Sequence, residues 1–465
     1  MRGRLRARSA PIAAVLAVVL TLAGCTSSAT PAPATSTLGS TAPPPTVAAL
    51  PESASTTTAS SSVASSTAAA SSTAAASSST ESSSAASSTT AGTSAGAGSS
   101  TAGTNVSDAA AFAGGFVTRS GRQLILNGNP FRFVGANLYD AAATDLYSCN
   151  AGKRLNDADL LTTLRYLHDK AGATVLRFWA YQTYTQGGTN FAGPDRVIAA
   201  AKEVGMKVIP VLEDGPGNCT NLAQVTPKSQ YQNDTWYSAG YKVPYGNASL
   251  SYRDYVKVIV AHYANEPTIL AWSMMNEADT SARDSSGRTV LVDFAKDVAG
   301  VIKSVDTRHL LTVGTQSNGA PGASGPDFTA VYSVPEIDLA EVHDWGYWGS
   351  DQSAMPGGEG ATPPAADSPT CATPNAPVGC SFALAAGLDK PLFVGEAGIT
   401  GKTPEERSTR ATLLRAKMDA AFGAGAAGYL VWSINTGITD GYDILINNDD
   451  PVIDQLAQVA QQTRS

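Results

Sequence analysis

Between Thr26 and Thr104 the chain has almost no charge, because Glu52 and Glu81 are its only charged side chains. Ser, Thr, Ala and Pro make up nearly all of this stretch. They cannot bury enough apolar surface to offset a backbone entropy cost of about 1–2 kcal/mol per residue. Ser and Thr interleaved with Ala also disfavour a helix. We therefore predict a disordered linker over residues 25–104, of a composition that is typical of O-glycosylated stalks.

The N-terminus lacks an apolar run long enough to cross a membrane. The run Pro11–Leu22 is too short for a spanning helix, and four arginines precede it. This order is typical of a secretory signal peptide. The ending Leu22-Ala-Gly-Cys25 resembles the bacterial lipobox, which implies that residues 1–24 are removed and that the Cys25 thiol carries lipid. The alternative is an ordinary signal peptide. We expect an exported bacterial protein, either lipid-anchored to the outer face of the cell membrane or secreted.

Cysteine is scarce, since the chain has five and only four follow Cys25. An even number of cysteines in an exported domain predicts disulfide bonds. Of the three pairings we favour Cys149–Cys219 and Cys371–Cys380, the second of which closes a short loop. A zinc site is the weaker interpretation, because no CxxC pair is present.

The chain also lacks an excess of basic residues and the common cofactor-binding motifs. The formal charge is −8, and the first 104 residues contribute +2, so the remainder carries −10. An acidic domain of this kind binds nucleic acid poorly. The chain has no HExxH motif, no Walker loop and no GxGxxG loop between a strand and a following helix. We predict no cofactor and no metal site.

Residues 105–465 alternate short apolar strands with amphipathic segments. Gln123–Phe133 contains an Asn-Gly pair and predicts a β-hairpin. Eight strands are predicted at Phe133–Asn137, Val175–Trp179, Lys207–Leu212, Ile269–Met275, Leu310–Val313, Ile337–His343, Leu392–Glu396 and Gly428–Trp432. Six helices are predicted at Ala158–Ala171, Asp195–Val204, Tyr252–Ala264, Thr289–Val305, Glu405–Phe422 and Val452–Gln461. Eight β/α repeats predict one α/β domain, a (β/α)8 barrel preceded by the hairpin.

Polar side chains follow several of these strands, and two strands end on a glutamate. Ile269–Glu277 is apolar until Asn276 and Glu277, and Pro391–Gly398 contains Glu396. The carboxyl ends of barrel strands are where such enzymes place their chemistry. Two carboxylates on separate strand ends are typical of glycoside hydrolysis.

The motifs around these residues resemble glycoside hydrolase family 5, the cellulase and mannanase family, from about Phe131 to Gln461. They are Arg177 in Val-Leu-Arg-Phe-Trp, Asn276-Glu277, His343 after Ala-Glu-Val, Glu396 in Phe-Val-Gly-Glu-Ala-Gly, and Trp432 in Tyr-Leu-Val-Trp-Ser. The resemblance implies that Glu277 is the acid/base and Glu396 the nucleophile. It also implies that Asn276 binds the sugar 2-hydroxyl and that Trp432 lies under the scissile sugar.

Further residues are predicted from the same strand ends. Arg177 and His343 are expected to support the glutamates, and Asn137, Trp179 and Trp345 to bind substrate. The family commonly has His-x-Tyr after the sixth strand, whereas this chain has His343-Asp344-Trp345-Gly-Tyr347. Either Trp345 occupies that place as a binding aromatic, or Tyr347 reaches round to support the nucleophile.

Other ionisable residues have a structural interpretation. We expect Glu341 to pair with a barrel arginine, because it shares a strand face with His343. Glu213 and Asp214 follow the third strand, where substrate contact and loop capping are both open. The remaining histidines are expected to be structural, and they are His168, His262 and His309.

These features predict a retaining, endo-acting hydrolase of a β-linked polysaccharide, β-1,4-mannan or β-glucan, acting as a monomer. Two alternatives stay open. One is a tethered, non-catalytic carbohydrate-binding lipoprotein, and the other is an exo-acting β-glycosidase of the same clan.

Overall fold

The computed structural model describes residue 112 and residues 114–464, with gaps at 151–153, 216–218, 220–233, 246–247, 346–351, 436, 438–439 and 447–448. The predicted signal peptide, the Cys25 lipidation site, the linker over 25–104 and Tyr347 lie outside the described residues. Among the helices that are described, none is both long and apolar enough to span a bilayer.

The predicted hairpin is confirmed as part of a three-stranded antiparallel sheet of β1 (Val117–Ser120), β2 (Gln123–Leu126) and β3 (Asn129–Phe131). Asn127 and Gly128 form its turn with φ of 51° and 80°. Positive φ at both central positions is the type I′ geometry that matches strand twist. The inner side chains of this sheet join the apolar cluster inside the barrel, so the hairpin covers its N-terminal end.

The main sheet has eight parallel strands: β4 (Phe133–Asn137), β5 (Val175–Trp179), β6 (Lys207–Val211), β7 (Ala271–Ser273), β8 (Leu310–Thr312), β9 (Ala340–Trp345), β10 (Leu392–Gly398) and β11 (Gly428–Val431). Their order in the sheet is β8-β7-β6-β5-β4-β11-β10-β9. Leu339 N donates to Leu311 O at 3.1 Å and His343 N to Gln316 O at 3.0 Å, so hydrogen bonds join the β8 and β9 edges. The predicted barrel is confirmed.

Helices surround the sheet in the part of the chain that is described. The six predicted helices are present as α1 (Asp157–Ala171), α2 (Ala192–Val204), α4 (Tyr252–Tyr263), α5 (Leu291–Lys303), α8 (Pro404–Gly423) and α9 (Pro451–Arg464). Three short helices were not predicted: α3 (Asp234–Ser238), α6 (Pro326–Tyr332) and α7 (Val378–Ala385). A small parallel pair, β12 (Ile434–Asn435) and β13 (Ile444–Leu445), follows the last barrel strand and was also missed.

Capping side chains determine where several helices begin. The Asn156 side chain accepts from Asp159 N at the start of α1, and Ser251 accepts from Asp254 N at the start of α4. At α8 the Thr403 hydroxyl and Glu406 form a capping box. Each cap satisfies backbone N–H groups that have no partner within the helix.

Alternation along the strands divides their side chains between two apolar clusters. Leu176 and Phe178 of β5 belong to the cluster beneath the helices, whereas Val175 belongs to the cluster inside the barrel. Arg177 is the next inward residue of β5 after Val175. The inside of the barrel is therefore apolar near the hairpin and becomes polar toward the carboxyl ends of the strands.

Both predicted disulfide bonds are confirmed, Cys149–Cys219 and Cys371–Cys380. Their Cα atoms lie 5.4 Å and 5.2 Å apart, within the usual range for a disulfide. The first connects the loop after β4 to the loop after β6, and the second connects the loop after β9 to helix α7.

Close packing of β11 against β4 generates a stability prediction. A Cβ on Gly428 would lie 2.1 Å from the Phe133 ring, whereas a Cβ on Gly300 of α5 would meet nothing within 4 Å. We expect Gly428→Ala to lower the free energy of unfolding by about 1–3 kcal/mol through overpacking. Gly300→Ala should raise it by about 0.5–1 kcal/mol, because alanine is the better helix former. Urea denaturation measures both, and a neutral Gly428→Ala would contradict this packing.

Candidate active site

Arg177 lies at the centre of the polar layer and is fully buried. Its Nε donates to Glu341 Oε1 at 3.0 Å, and its Nη1 donates to Glu396 Oε1 at 2.6 Å. Nη1 and Nη2 also donate to the side-chain oxygens of Asn137 and Asn276 at 3.1 and 2.8 Å. A buried guanidinium is stable only when it is paired and hydrogen-bonded in this way. The expected pairing of Glu341 with a barrel arginine is therefore confirmed.

Glu396 lies on β10 beyond a register shift between Val394 and Glu396. The irregularity places Glu396 beside His343 of β9 and turns its side chain into the barrel. Its carboxylate is 2 % exposed. Burial raises the pKa of Glu396 to about 7, and the charges of His343 and Arg177 act in the opposite direction.

Glu277 follows β7 and has a φ of 55°, which side-chain-bearing residues rarely adopt. Backbone hydrogen bonds to neighbouring strand ends hold this conformation. Asn276 N donates to Glu213 O at 2.6 Å on one side, and Ala278 N donates to Gly314 O at 3.0 Å on the other. The turn directs the carboxylate toward His343, whose Nδ1 lies 3.0 Å from Glu277 Oε1.

His343 is fully buried and connects the two predicted catalytic glutamates. Its Nδ1 lies 3.0 Å from Glu277 Oε1 and 3.5 Å from Glu396 Oε2, and its Nε2 lies 3.4 Å from Glu341 Oε1. Burial alone would lower the pKa of His343. The surrounding carboxylates outweigh it and raise the pKa to about 9.

The structure brings Glu277, His343 and Glu396 together, with one oxygen or nitrogen of each within 4.8 Å of the others. Such a set could in principle ligate a cation. Here Arg177 already donates to Glu396 at 2.6 Å, and its positive charge disfavours a further cation at that carboxylate. The arrangement therefore consists of two facing carboxylates with a histidine between them.

Two asparagines, Asn137 and Asn276, also contact Arg177 in the polar layer. The amide nitrogen of Asn137 donates to Gly395 O at 2.9 Å and to Val431 O at 3.3 Å, while its oxygen accepts from Arg177. The amide nitrogen of Asn276 donates to Asp214 Oδ1 at 3.1 Å. Asn137 is 1 % exposed and both ends of its amide are occupied. Asn137 therefore supports Arg177, and its contact with substrate stays a prediction.

The predicted aromatic residues lie together around Trp432. Trp432 stacks on Tyr139 with ring centroids 5.3 Å apart and planes inclined by 9°. Trp179 and Trp345 lie 5.9 and 5.8 Å from Trp432. Trp432 and Tyr139 are half-buried, whereas Trp179 and Trp345 are buried. This group offers the apolar ring faces that stack on sugars.

Comparison with known proteins agrees with this geometry. A family model described as GH family 5 beta-mannosidase-like matches residues 218–417, which include both glutamates. Mannan endo-1,4-beta-mannosidase 3 of Arabidopsis thaliana is 27% identical over 402 residues, covering 74% of this chain and 86% of that protein. Over the matched residues the chain is similar to glycoside hydrolase family 5.

Two further relatives define the extent of the similarity. Mannan endo-1,4-beta-mannosidase 2 of Oryza sativa subsp. japonica is 29% identical over 277 residues, which are 50% of this chain and 59% of that protein. The match thus spans less than two thirds of the rice protein. The crystal structure of the endo-1,4-beta-mannanase from Rhizomucor miehei has a TM-score of 0.54 at 20% identity, covering 75% of this chain and 99% of that one. This likeness shows the shared barrel fold.

Some residues of the site were not found from the sequence. Ser273 donates to Glu341 Oε2 at 2.8 Å, and Tyr442 lies 5.1 Å from the Trp345 ring. The alternation of strand side chains could have identified Ser273. Ala271 belongs to the barrel interior, and Ser273 is the next inward residue on the same strand. Tyr442 lies between β12 and β13, a pair without a strong sequence pattern.

Proposed function

We propose that this chain is a retaining, endo-acting β-mannanase. The observation that carries the proposal is the pair of facing carboxylates, with oxygens of Glu277 and Glu396 within 4.8 Å of each other. Retaining glycosidases hold their two carboxyl groups about 5–5.5 Å apart, whereas inverting ones leave space for a water at about 6.5–9.5 Å. The names of the relatives support β-1,4-mannan as the substrate, with β-glucan as the second candidate.

The protonation of the pair follows from its contacts. Burial and the neighbouring carboxylates raise the pKa of Glu396 to about 7, so the mechanism needs a group that keeps Glu396 ionised. Arg177 donates to Glu396 at 2.6 Å, so the negative charge is more stable on Glu396. Glu277, whose side chain is 17 % exposed, then carries the proton toward the substrate. When His343 is protonated, the positive charges of Arg177 and His343 equal the negative charges of Glu341 and Glu396 in the buried cluster.

The mechanism proceeds in two displacements. Glu396 attacks the anomeric carbon while Glu277 donates its proton to the leaving oxygen, which gives a covalent glycosyl-enzyme. Glu277 then removes a proton from water, and the water attacks the same carbon and releases Glu396. Each displacement inverts the anomeric centre, so the product retains the β configuration. In this mechanism Asn276 contacts the sugar 2-hydroxyl and Trp432 stacks on the sugar ring.

The first experiment tests catalysis itself. We expect the full chain to release reducing ends from β-mannan faster than from β-glucan or xylan. Glu277→Gln and Glu396→Gln should each lower kcat/KM by at least about 10²-fold, because each removes a proton-transfer or nucleophilic group. Glu266→Gln is the matched control, since Glu266 bonds Lys202 on the outside of the barrel.

No release from any β-glycan, together with retained glycan binding, would favour the alternative of a tethered carbohydrate-binding lipoprotein. The family model's beta-mannosidase-like description supports exo action as the other candidate. The first products from mannohexaose separate the two modes. An endo enzyme gives a mixture of shorter oligosaccharides, and an exo enzyme gives mannose.

A second experiment assigns the two glutamates. With an activated aryl β-mannoside and azide, Glu277→Ala should regain turnover and release the β-mannosyl azide, because azide attacks the glycosyl-enzyme from the side of the missing acid. In Glu396→Ala, azide replaces the nucleophile and should give the α-azide. Nuclear magnetic resonance of the products distinguishes the anomers. Swapped anomers would reverse the assignment, and no azide product from either variant would contradict a covalent mechanism.

We also propose that Cys25 anchors the enzyme to the outer face of the cell membrane, with residues 26–104 as a tether. The support is the Leu22-Ala-Gly-Cys25 ending after a short apolar run. Cys25→Ser should move the enzyme from the membrane fraction to the soluble fraction on centrifugation. Unchanged membrane retention would rule out the lipid anchor.

A further inference from the structure

Glu341 is a fully buried carboxylate that the two-displacement mechanism does not use. Its Oε1 accepts from Arg177 Nε at 3.0 Å, and its Oε2 accepts from Ser273 Oγ at 2.8 Å. Oε1 also lies 3.4 Å from His343 Nε2. Glu341 therefore contacts both cations of the site from below, on the side opposite Glu277 and Glu396.

The backbone leaves a fitted space for this carboxylate. A Cβ on Gly395 would lie 2.3 Å from Glu341 Oε1, so only glycine fits there without displacing the carboxylate. Gly395 lies at the register shift that turns Glu396 into the barrel. One irregularity of β10 thus accommodates Glu341 and orients the predicted nucleophile.

Both ring nitrogens of His343 face carboxylate oxygens. Nε2 faces Glu341 of β9, and Nδ1 faces Glu277 after β7 and Glu396 of β10. Arg177 of β5 opposes protonation, with its Nη2 3.5 Å from Nε2. A neutral imidazole has one N–H and one lone pair, so one of its nitrogens would point a lone pair at a carboxylate. The imidazolium donates on both sides, whereas a neutral ring with Nδ1–H could only accept from Arg177 Nη2 at Nε2 and would offer no N–H to Glu341 Oε1.

We propose that Glu341 is a positioning residue that holds His343 as the imidazolium, with Nδ1–H between Glu277 and Glu396, and fixes the guanidinium of Arg177 against Glu396. The electrostatic part concerns the histidine alone. The catalytic part rests on the proposed two-displacement mechanism.

The first test reads the histidine without substrate. The chain has four histidines, so ring ¹⁵N signals of the labelled protein are few, and the signal missing from His343→Gln identifies His343. The wild-type ring should stay protonated at both nitrogens at neutral pH and titrate with a pKa near 9. A neutral ring at pH 7 in the wild type overturns the proposal whatever the variants do.

Glu341→Gln removes the charge and keeps the shape and the acceptor oxygen. The pKa of His343 should then fall by about one unit or more, since an opposite charge at this distance typically contributes 1–3 units. Glu341→Asp retains the charge and should keep His343 protonated at neutral pH, which guards against a Gln variant that folds poorly. An unchanged titration in a folded Glu341→Gln overturns the proposal.

Activity separates positioning from a merely structural role. Glu341→Gln should lower kcat on β-mannan by about 10²-fold with KM changed only a few-fold, because misorientation of Arg177 and His343 affects the reacting geometry. Asp306→Asn is the matched control, since Asp306 is a second buried carboxylate that contacts a histidine, with its Oδ2 2.5 Å from His309 Nδ1. The control should lose stability and leave the His343 titration and kcat unchanged.

Equal losses of kcat in Glu341→Gln and Asp306→Asn, with no change at His343, would assign Glu341 a structural role only. Absence of any glycan hydrolysis by the wild type would refute the proposed function and leave the titration result standing. The two failures are therefore distinguishable.

Discussion

The buried charge of Arg177 is the constraint on which the rest of the site depends. Removing a guanidinium from water costs several kcal/mol, and only complete pairing and hydrogen bonding recover that cost. Arg177 obtains its partners from four other parts of the barrel: Asn137 on β4, Asn276 after β7, Glu341 on β9 and Glu396 on β10. Any shift of one strand would leave a charge or a donor unsatisfied. The satisfied arrangement therefore fixes the positions of the side chains that meet the substrate.

A lysine could not replace this arginine. The guanidinium offers five N–H donors in a planar fork, and here its three nitrogens reach four different side chains. An ammonium has three donors around one point. At least one of the four oxygens would lose its charged partner, and Glu396 would no longer be oriented by the same group that orients Glu341.

Local patterns predicted the frame well because burial on both faces leaves a clear signal. Val175–Trp179 was predicted with its observed ends, and its next inward residue after Val175 is Arg177. Ile269–Met275 was predicted longer than the observed Ala271–Ser273, because the residues before it form only a single bridge, Val208 to Ile269. Helices α6 and α7 were missed because seven and eight residues are too few for a clear period.

The contacts within the site were less predictable, because they depend on the relative height of strands that are distant in sequence. The sequence indicated that Glu341 points inward, but its contact with Ser273 depends on the stagger between β7 and β9. Asn137 is the last residue of its strand, and Glu396 lies near the end of its own. This position led us to predict that Asn137 contacts the substrate. The structure places its amide between Arg177 and the backbone of two neighbouring strands, a supporting contact that the sequence did not predict. Strand-end position alone does not separate a residue that touches substrate from one that supports it.

Electroneutrality connects this architecture to the proposed reaction. In the proposed mechanism, the positive charges of Arg177 and His343 balance the negative charges of Glu341 and Glu396 before glycosylation, when Glu277 carries the proton. After glycosylation, Glu396 is an ester and Glu277 carries the negative charge, so the net charge of the buried cluster is the same. His343 Nδ1 lies 3.0 Å from Glu277 and 3.5 Å from Glu396, so one N–H can serve whichever carboxylate is ionised. The negative charge thus moves from Glu396 to Glu277, and both carboxylates already have hydrogen-bond donors in place. Little reorganisation of the protein is needed as the charge moves.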